Sequence, residues 1–150
     1  MQPVPMSASL TLFDGEVTKA DLNAHGVMHG GRLMTICDEV GYLAACKHCG
    51  GHGLTRAAHR LRFHAPMHAG DPFSVETQVT MTTRTTMWVS CVISSHTKPV
   101  MDAVFVYVAI NRNFQPVEVP ELFAKTDAEM EKAAEIKALY SAVMSSEKVK

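Results

Sequence analysis

The sequence predicts an α+β fold in which an antiparallel sheet packs against one long helix. Three observations predict it. Residues 31–49 carry apolar side chains at helical spacing, four strand patterns fill residues 54–110, and a second helical pattern follows Thr126.

Taken in order, residues 7–13 alternate weakly through Leu10 and Leu12 and are predicted as a first strand. Residues 14–23 are polar and predicted as a loop. In the helix that follows, at about 100° per residue, Leu33, Ile36, Cys37, Val40, Leu43 and Ala44 share one face. Thr35, Asp38, Glu39, Tyr42 and Cys46 share the other. Met34, Tyr42 and Ala45 make that second face half-apolar, which implies a second layer over it. Gly50 and Gly51 stop the helix.

Leu61 and Phe63 alternate with Arg60, Arg62 and His64 in a strand over residues 54–64, and Pro66 closes it. Residues 69–72 make a turn around Gly70 and Pro72. Phe73, Val75, Thr77, Val79 and Met81 alternate with polar residues, the pattern of a half-buried strand. Residues 82–85 form a polar hairpin connection. Met87, Val89, Cys91 and Ile93 alternate in the next strand, with Trp88 read as core. After a turn at residues 97–99, residues 100–110 are almost continuously apolar, as in a central strand covered on both faces. Thr126 and Glu129 form a capping box ahead of a helix over residues 130–144. Ile136, Leu139, Tyr140 and Val143 make its stripe, which fits either covering the sheet or packing between subunits.

The length of 150 residues predicts one domain, residues 1–150. A net charge of −1 removes the electrostatic case for nucleic acid. A charged fraction of 19% with ten Met points to surface buried in an oligomer. No run approaches the roughly 20 apolar residues of a membrane span. The first five residues lack the basic flank and apolar run of a signal peptide. Cys37, Cys46, Cys49 and Cys91 then read as free thiols in a reducing, cytoplasmic setting. Cys46, Cys49 and His52, with His48 nearby, have zinc-like spacing. A fourth ligand would have to come from elsewhere, so buried thiols are preferred and no metal is expected. His64, His68 and His96 read as ordinary strand or turn residues.

The chemistry concentrates in residues 23–39, where a polar turn runs through Gly30 and Gly31 into the helix and Asp38 follows two turns in. The glycine pair has two readings: a turn needing positive φ, or close approach of a ligand to unpaired amides at a helix start. Such amides stabilise a developing oxyanion, and losing one donor typically costs about 2.7–4 kcal/mol in the barrier. Asp is a poor mid-helix residue. Asp38 is therefore either a base or nucleophile, or a structural ion-pair partner.

These residues resemble the hotdog-fold acyl-CoA thioesterases, in the cytosolic acyl-CoA thioester hydrolase branch of the acyl-CoA hydrolase family. Their pattern has Asn, then Gly-Gly, then a helix bearing Asp-Glu, as at Asn23, Gly30, Gly31, Asp38 and Glu39. Thr55 with Leu61, Phe63 and Pro66 resembles the family's second strand. Gly70 and Asp71 resemble its turn, and residues 83–87 its Gly-Arg-Thr-Ser-Met hairpin. The likeness covers about residues 7–118. Here Thr83 replaces the Gly, Thr86 the Ser, His59 an acidic residue, and His29 a Phe of some members.

The resemblance implies a hotdog fold, a sheet wrapped around the long helix with a C-terminal helix after it, pairing through a continuous sheet into a homodimer that assembles to a hexamer or tetramer. It implies hydrolysis of acyl-CoA thioesters in lipid metabolism, with no cofactor beyond the coenzyme A of the substrate. Asp38 would be base or nucleophile, Asn23 would come from the other subunit, and the Gly31 amide would polarise the carbonyl. His29, Gly30, Arg84, Thr85 and Thr86 would contact substrate, with His29 either donating to the carbonyl or filling space. Lys47, Arg84, Lys98 and Arg112 are candidate phosphate contacts. Two other readings are a dehydratase of hydroxyacyl thioesters using His25 or His29, and a non-catalytic acyl-CoA binder.

Overall fold

The computed structural model describes residues 1–149. Strand β1 (Val4–Pro5) leads through a 3₁₀ turn at Met6–Ser9 into β2 (Thr11–Glu16). A second 3₁₀ turn, Lys19–Asp21, precedes helix α1 (Gly30–Cys49). Then come β3 (His52–Phe63), β4 (Pro72–Thr82), β5 (Thr86–Ser95), β6 (Lys98–Ile110), β7 (Leu122–Phe123) and helix α2 (Asp127–Val149). The main sheet has the order β2-β4-β5-β6-β3, antiparallel throughout. β1 and β7 form a small parallel pair. Helix α1 touches all five strands of the main sheet, so the sheet curls around it. This is the expected hotdog arrangement.

The first strand is displaced from residues 7–13. Met6–Ser9 is a turn because its polar groups bind β4 rather than a neighbouring strand. Val79 N–H donates to Ser9 Oγ at 2.8 Å, and Gln78 Nε2 donates to the Met6 carbonyl at 3.1 Å. The strand begins at Thr11 and runs on through residues read as loop.

Helix α1 begins where His29, still extended, accepts the Gly31 N–H on its ring Nδ1 at 3.0 Å. It ends at Gly50, whose φ of 68° is left-handed. Leu33, Ile36, Cys37, Val40 and Ala44 are buried against Val75, Val79, Val89, Ile93, Met101 and Tyr107. Along the helix the buried stripe drifts toward Ala45 and His48, following the twist of the sheet. That drift leaves Leu43 51% exposed, whereas periodicity alone placed it in the core.

The continuously apolar β6 is covered on both faces, as expected. Met101, Ala103, Phe105, Tyr107 and Ala109 face α1. Val104 and Val106 face α2. The α2 stripe covers the outer face of the sheet: Ile136 is fully buried, with Leu139, Tyr140 and Val143 against Trp88. Trp88 belongs to this outer layer, between the stacked ring of His59 at 5.2 Å and the edge of Tyr140 at 5.4 Å. Burying one such aliphatic side chain contributes about 1.5–3 kcal/mol. The half-exposed Arg60–Glu135 pair at 2.9 Å contributes at most about 1 kcal/mol. Apolar contact therefore seats α2. Its capping box forms, with Glu129 N–H donating to Thr126 Oγ1 at 3.1 Å and Thr126 N–H to Glu129 Oε1 at 3.3 Å. The helix starts at Asp127, ahead of residue 130, and continues to Val149, past residue 144.

The β5–β6 connection is tighter than residues 97–99. His96 and Thr97 both take positive φ, 50° and 65°, and Lys98 already pairs with Ser95.

His48, near the end of α1, is 3% exposed. Its Nε2–H donates to the Pro120 carbonyl at 2.8 Å, and its Nδ1 finds no protein partner among the described residues. Burial pushes its pKa down, only partly offset by the Pro120 carbonyl. Asp21 lies below the usual carboxylate range because the Thr18 N–H binds it. Asp102 does too, since His64 and Arg62 outweigh the burial that would raise it.

Two outcomes follow for stability. An unfolded histidine protonates near pH 6.5, roughly, while His48 stays neutral to lower pH, so stability declines as pH falls below about 6.5. Melting temperatures across pH 5–8 (roughly the range that reports histidines) show this slope, and His48→Gln flattens it. Asp21 and Asp102 stay charged where the unfolded chain is protonated, so their contribution is present above about pH 4 and lost below it. Separately, His29→Ala removes the cap of α1 and lowers stability in urea denaturation by about 1 kcal/mol.

Candidate active site

The loop before α1 is held by its own polar groups. Asn23 Oδ1 accepts the His25 N–H at 2.9 Å and the Val27 N–H at 3.3 Å. Its side-chain NH2 has no partner among the described residues. Gly26, with φ of 77°, makes the tight turn between them. His29 N–H donates to the Asp21 carbonyl at 2.8 Å, and Met28 N–H to the Met67 carbonyl at 2.8 Å. Arg32 pairs with Asp21 at 3.3 Å. The segment thus reaches the helix in one fixed path.

Gly30 and Gly31 are not among the residues with positive φ. Close approach accounts for Gly31 but not for Gly30, whose added Cβ would make only ordinary contact. A Cβ on Gly31 would sit 3.1 Å from His29 Nδ1, and one on Gly30 would rest 3.5 Å from the Phe63 ring. The Gly31 N–H, read from sequence as open to a ligand, is taken by the His29 ring. That bond makes Nδ1 the acceptor and leaves the proton of a neutral ring on Nε2. The Gly30 N–H has no partner among the described residues.

Asp38 is half-buried. Thr55 Oγ1, on β3, donates to Asp38 Oδ1 at 2.7 Å. The Tyr107 hydroxyl, on β6, lies 2.7 Å from the Asp38 carbonyl and 3.1 Å from the same Oδ1. Both donors fall on one oxygen, and Oδ2 has no partner among the described residues. A carboxylate bound on one oxygen and open on the other can take a proton or attack through the open one. Asp38 makes no ion pair among the described residues, which leaves the ion-pair reading without support. Seven residues separate it from Gly31, which places them on one stripe of the helix, about 10 Å apart along the axis. One carbonyl cannot touch both groups of the same chain.

Residues 83–85 connect β4 and β5, within the expected residues 82–85. The Thr83 and Thr86 hydroxyls bind each other at 2.5 Å, and Thr86 N–H donates to Thr83 Oγ1 at 3.1 Å. The two threonines that depart from the family pattern therefore satisfy one another, and Thr86, though buried, lines the same cavity as Thr85. Arg84 is exposed, 3.4 Å from Glu118. Thr85 borders a cavity of 210 Å³ on the outer face of the sheet, with Arg56, His59, Trp88 and Tyr140, and Asp38 does not line it. The structure thus brings Thr55 and Tyr107 to Asp38, and no hydrogen bond among the described residues joins Asp38 to Asn23 or the hairpin. Lys47 is committed to the Leu10 carbonyl at 3.2 Å. Thr55 and Tyr107 were not read as site residues. Thr55 had a signal in its place within the quoted strand pattern, and Tyr107 had none within its apolar run.

Among the described residues no three His, Cys, Asp or Glu side chains gather as a metal would need. His52 Nδ1 lies 3.3 Å from the Tyr42 hydroxyl, and burial pushes the Cys49 thiol up. No helix among these residues is long and apolar enough to cross a membrane.

Comparison with known proteins gives concordant likenesses. The cytosolic acyl coenzyme A thioester hydrolase of Rattus norvegicus is 28% identical over 93% of this chain and 39% of its own. The chain thus spans about two fifths of the length of that relative. An uncharacterized acyl-CoA thioester hydrolase of Zymomonas mobilis is 32% identical over 69% of this chain and 73% of its own. Among solved structures, an apo-hexameric acyl-CoA thioesterase superposes with a TM-score of 0.94 at 24% identity, covering 100% of both chains. The acyl-CoA hydrolase of Staphylococcus aureus, in complex with butyryl coenzyme A, coenzyme A and coenzyme A disulfide, gives 0.85 at 22% identity, over 99% of this chain and 94% of that one. That enzyme is also known with an asparagine, an aspartate or a threonine replaced by alanine, residues spaced 15 and then 17 positions apart. The Thioesterase superfamily profile matches residues 25–101, from the loop before α1 into β6. With that match over half its length, and with the hotdog architecture around α1, the chain belongs to the thioesterase superfamily.

Proposed function

We propose that this chain hydrolyses acyl-CoA thioesters to a carboxylic acid and coenzyme A, with Asp38 as the reacting carboxylate. The observation that carries the reading is the state of Asp38: fixed through Oδ1 by Thr55 and Tyr107, open at Oδ2, and half-buried beside the core. The names of the relatives support the substrate class. The spacing supports the residues: Asn23, Asp38 and Thr55 are also 15 and then 17 positions apart.

The 10 Å separation along α1, roughly seven residues of rise, sorts the residues into two half-sites. Asn23, His29, Gly30 and Gly31 form one, and Asp38 with Thr55 forms the other. A complete site takes two copies of the chain, with further assembly to a hexamer supported by the hexameric neighbour. Asn23, through its unpaired NH2, and the helix-start amides polarise the thioester carbonyl. The Gly31 amide reaches the oxygen when the His29 ring yields it, and His29 Nε2–H is a further donor. Asp38 Oδ2 either takes a proton from the attacking water or attacks the carbonyl carbon itself. In the second route the thiolate leaves, a mixed anhydride forms, and water opens it to restore the carboxylate. A thiolate is a good leaving group, so the chain's own residues suffice and no cofactor is needed. Thr85 and Arg84 border the path of the coenzyme A portion. The cytosolic names of the mammalian relatives support a cytoplasmic role in lipid metabolism. A dehydratase would need a histidine base with an acidic partner, and no carboxylate hydrogen-bonds the His25 or His29 ring among the described residues.

Thiol release from acyl-CoAs of increasing chain length tests the proposal. Asp38→Asn keeps the circular dichroism spectrum and loses activity by about 10²–10⁴-fold. Unchanged turnover in that variant refutes it. Thiol release without enoyl formation from a hydroxyacyl-CoA separates hydrolysis from dehydration.

A further inference from the structure

We infer that Tyr107 is a positioning residue: its hydroxyl, admitted by the missing side chain of Gly41, pins Asp38 so that Oδ1 is bound and Oδ2 is the reacting atom. The inference rests on the proposed role of Asp38 and goes beyond it by assigning the reacting oxygen and the residue that selects it.

Tyr107 is fully buried, yet its hydroxyl does not simply end in the core. It reaches into the groove of α1 and divides its proton between the Asp38 carbonyl at 2.7 Å and Oδ1 at 3.1 Å. Burial, then the neighbouring Cys91 and Asp38, push the phenol far above its ordinary range. The hydroxyl therefore stays protonated and acts toward the carboxylate only as a donor. Thr55 approaches the same Oδ1 from β3. Thr55 and Tyr107, partners across the adjacent strands β3 and β6, thus load one oxygen, and the carboxylate cannot rotate without breaking both bonds.

Gly41 explains how the phenol gets there. A Cβ at this position would lie 2.5 Å from the Tyr107 hydroxyl and 3.4 Å from its ring carbon Cζ. Only the oxygen clashes. Glycine in mid-helix is unfavourable relative to alanine. Its presence one turn from Asp38 is accounted for by the room the hydroxyl needs. A phenylalanine filling the same part of the core would not require that room.

Tyr107→Phe keeps the ring and removes the hydroxyl. In protein labelled with ¹³C at the Asp carboxyl carbons, with the Asp38 resonance assigned by its loss in Asp38→Asn, the Asp38 resonance moves in Tyr107→Phe. Acyl-CoA turnover shows kcat lower by about ten-fold with KM changed less than about two-fold, because the lost contact orients the reacting group rather than binding substrate. An unmoved resonance overturns the contact. A moved resonance with unchanged kcat, in a chain whose hydrolysis depends on Asp38, overturns the positioning role while the proposed function stands. Turnover that survives Asp38→Asn instead removes Asp38 as the reacting carboxylate, and with it the positioning role, and the resonance still decides the contact. Thermal melting gives a second reading independent of activity. Gly41→Ala lowers the melting temperature, and the drop is smaller when Tyr107→Phe is also present. Equal drops in both backgrounds overturn the role given to Gly41.

Discussion

The seating of α1 in the concave face of the sheet is the constraint on which the rest depends. All five strands touch the helix, and most of its buried residues are small or branched, among them Ile36, Cys37, Val40, Gly41 and Ala44. Small side chains let the helix lie close to the sheet, so groups on β3 and β6 reach its flanks. Asp38 is held by side chains from both strands because α1 has one depth and one rotation. A change in that depth would be felt at Asp38, as at the Thr77 bond to the Val40 carbonyl, since a hydrogen bond tolerates only a few tenths of an ångström.

The outer layer has a different character. Helix α2 is seated by one stripe of apolar side chains and carries mixed charge over the rest of its surface. The inner face of β6 holds the catalytic candidate's support, and the outer face holds α2. The strand thus couples two layers whose energetic weights differ. The exposed charge pairs between them, such as Arg60 with Glu135, orient more than they stabilise.

Much of this fold is legible from periodicity. The alternation of β4 and β5, the continuous run of β6 and the α2 stripe follow from which faces are covered. The failures have physical causes. Met6 and Ser9 turn because β4 offers them hydrogen-bond partners, a contact some 70 residues away in the chain. Leu43 lies outside the core because the sheet twists while an ideal helical wheel does not. In the site, Asn23, the glycine pair and Asp38 are visible because they are polar or special residues in one short stretch. Thr55 and Tyr107 meet Asp38 only through the register of β3 on β6, 17 and 69 residues away in sequence. No local pattern carries that register. The capping of Gly31 by His29 is local, but histidine is an uncommon cap, and its ring could equally have faced outward.

That cap has a consequence for selectivity between ground state and transition state. A neutral imidazole nitrogen is a better acceptor than a neutral thioester oxygen, so trading one for the other at the Gly31 amide would gain nothing on binding of the substrate ester. The balance changes once the carbonyl oxygen becomes negative, because a charged acceptor binds an amide about twice as strongly as a neutral one. In the proposed hydrolysis the ring would therefore act as a reference against which the amide measures charge, and the helix start would reward the tetrahedral species rather than the resting ester.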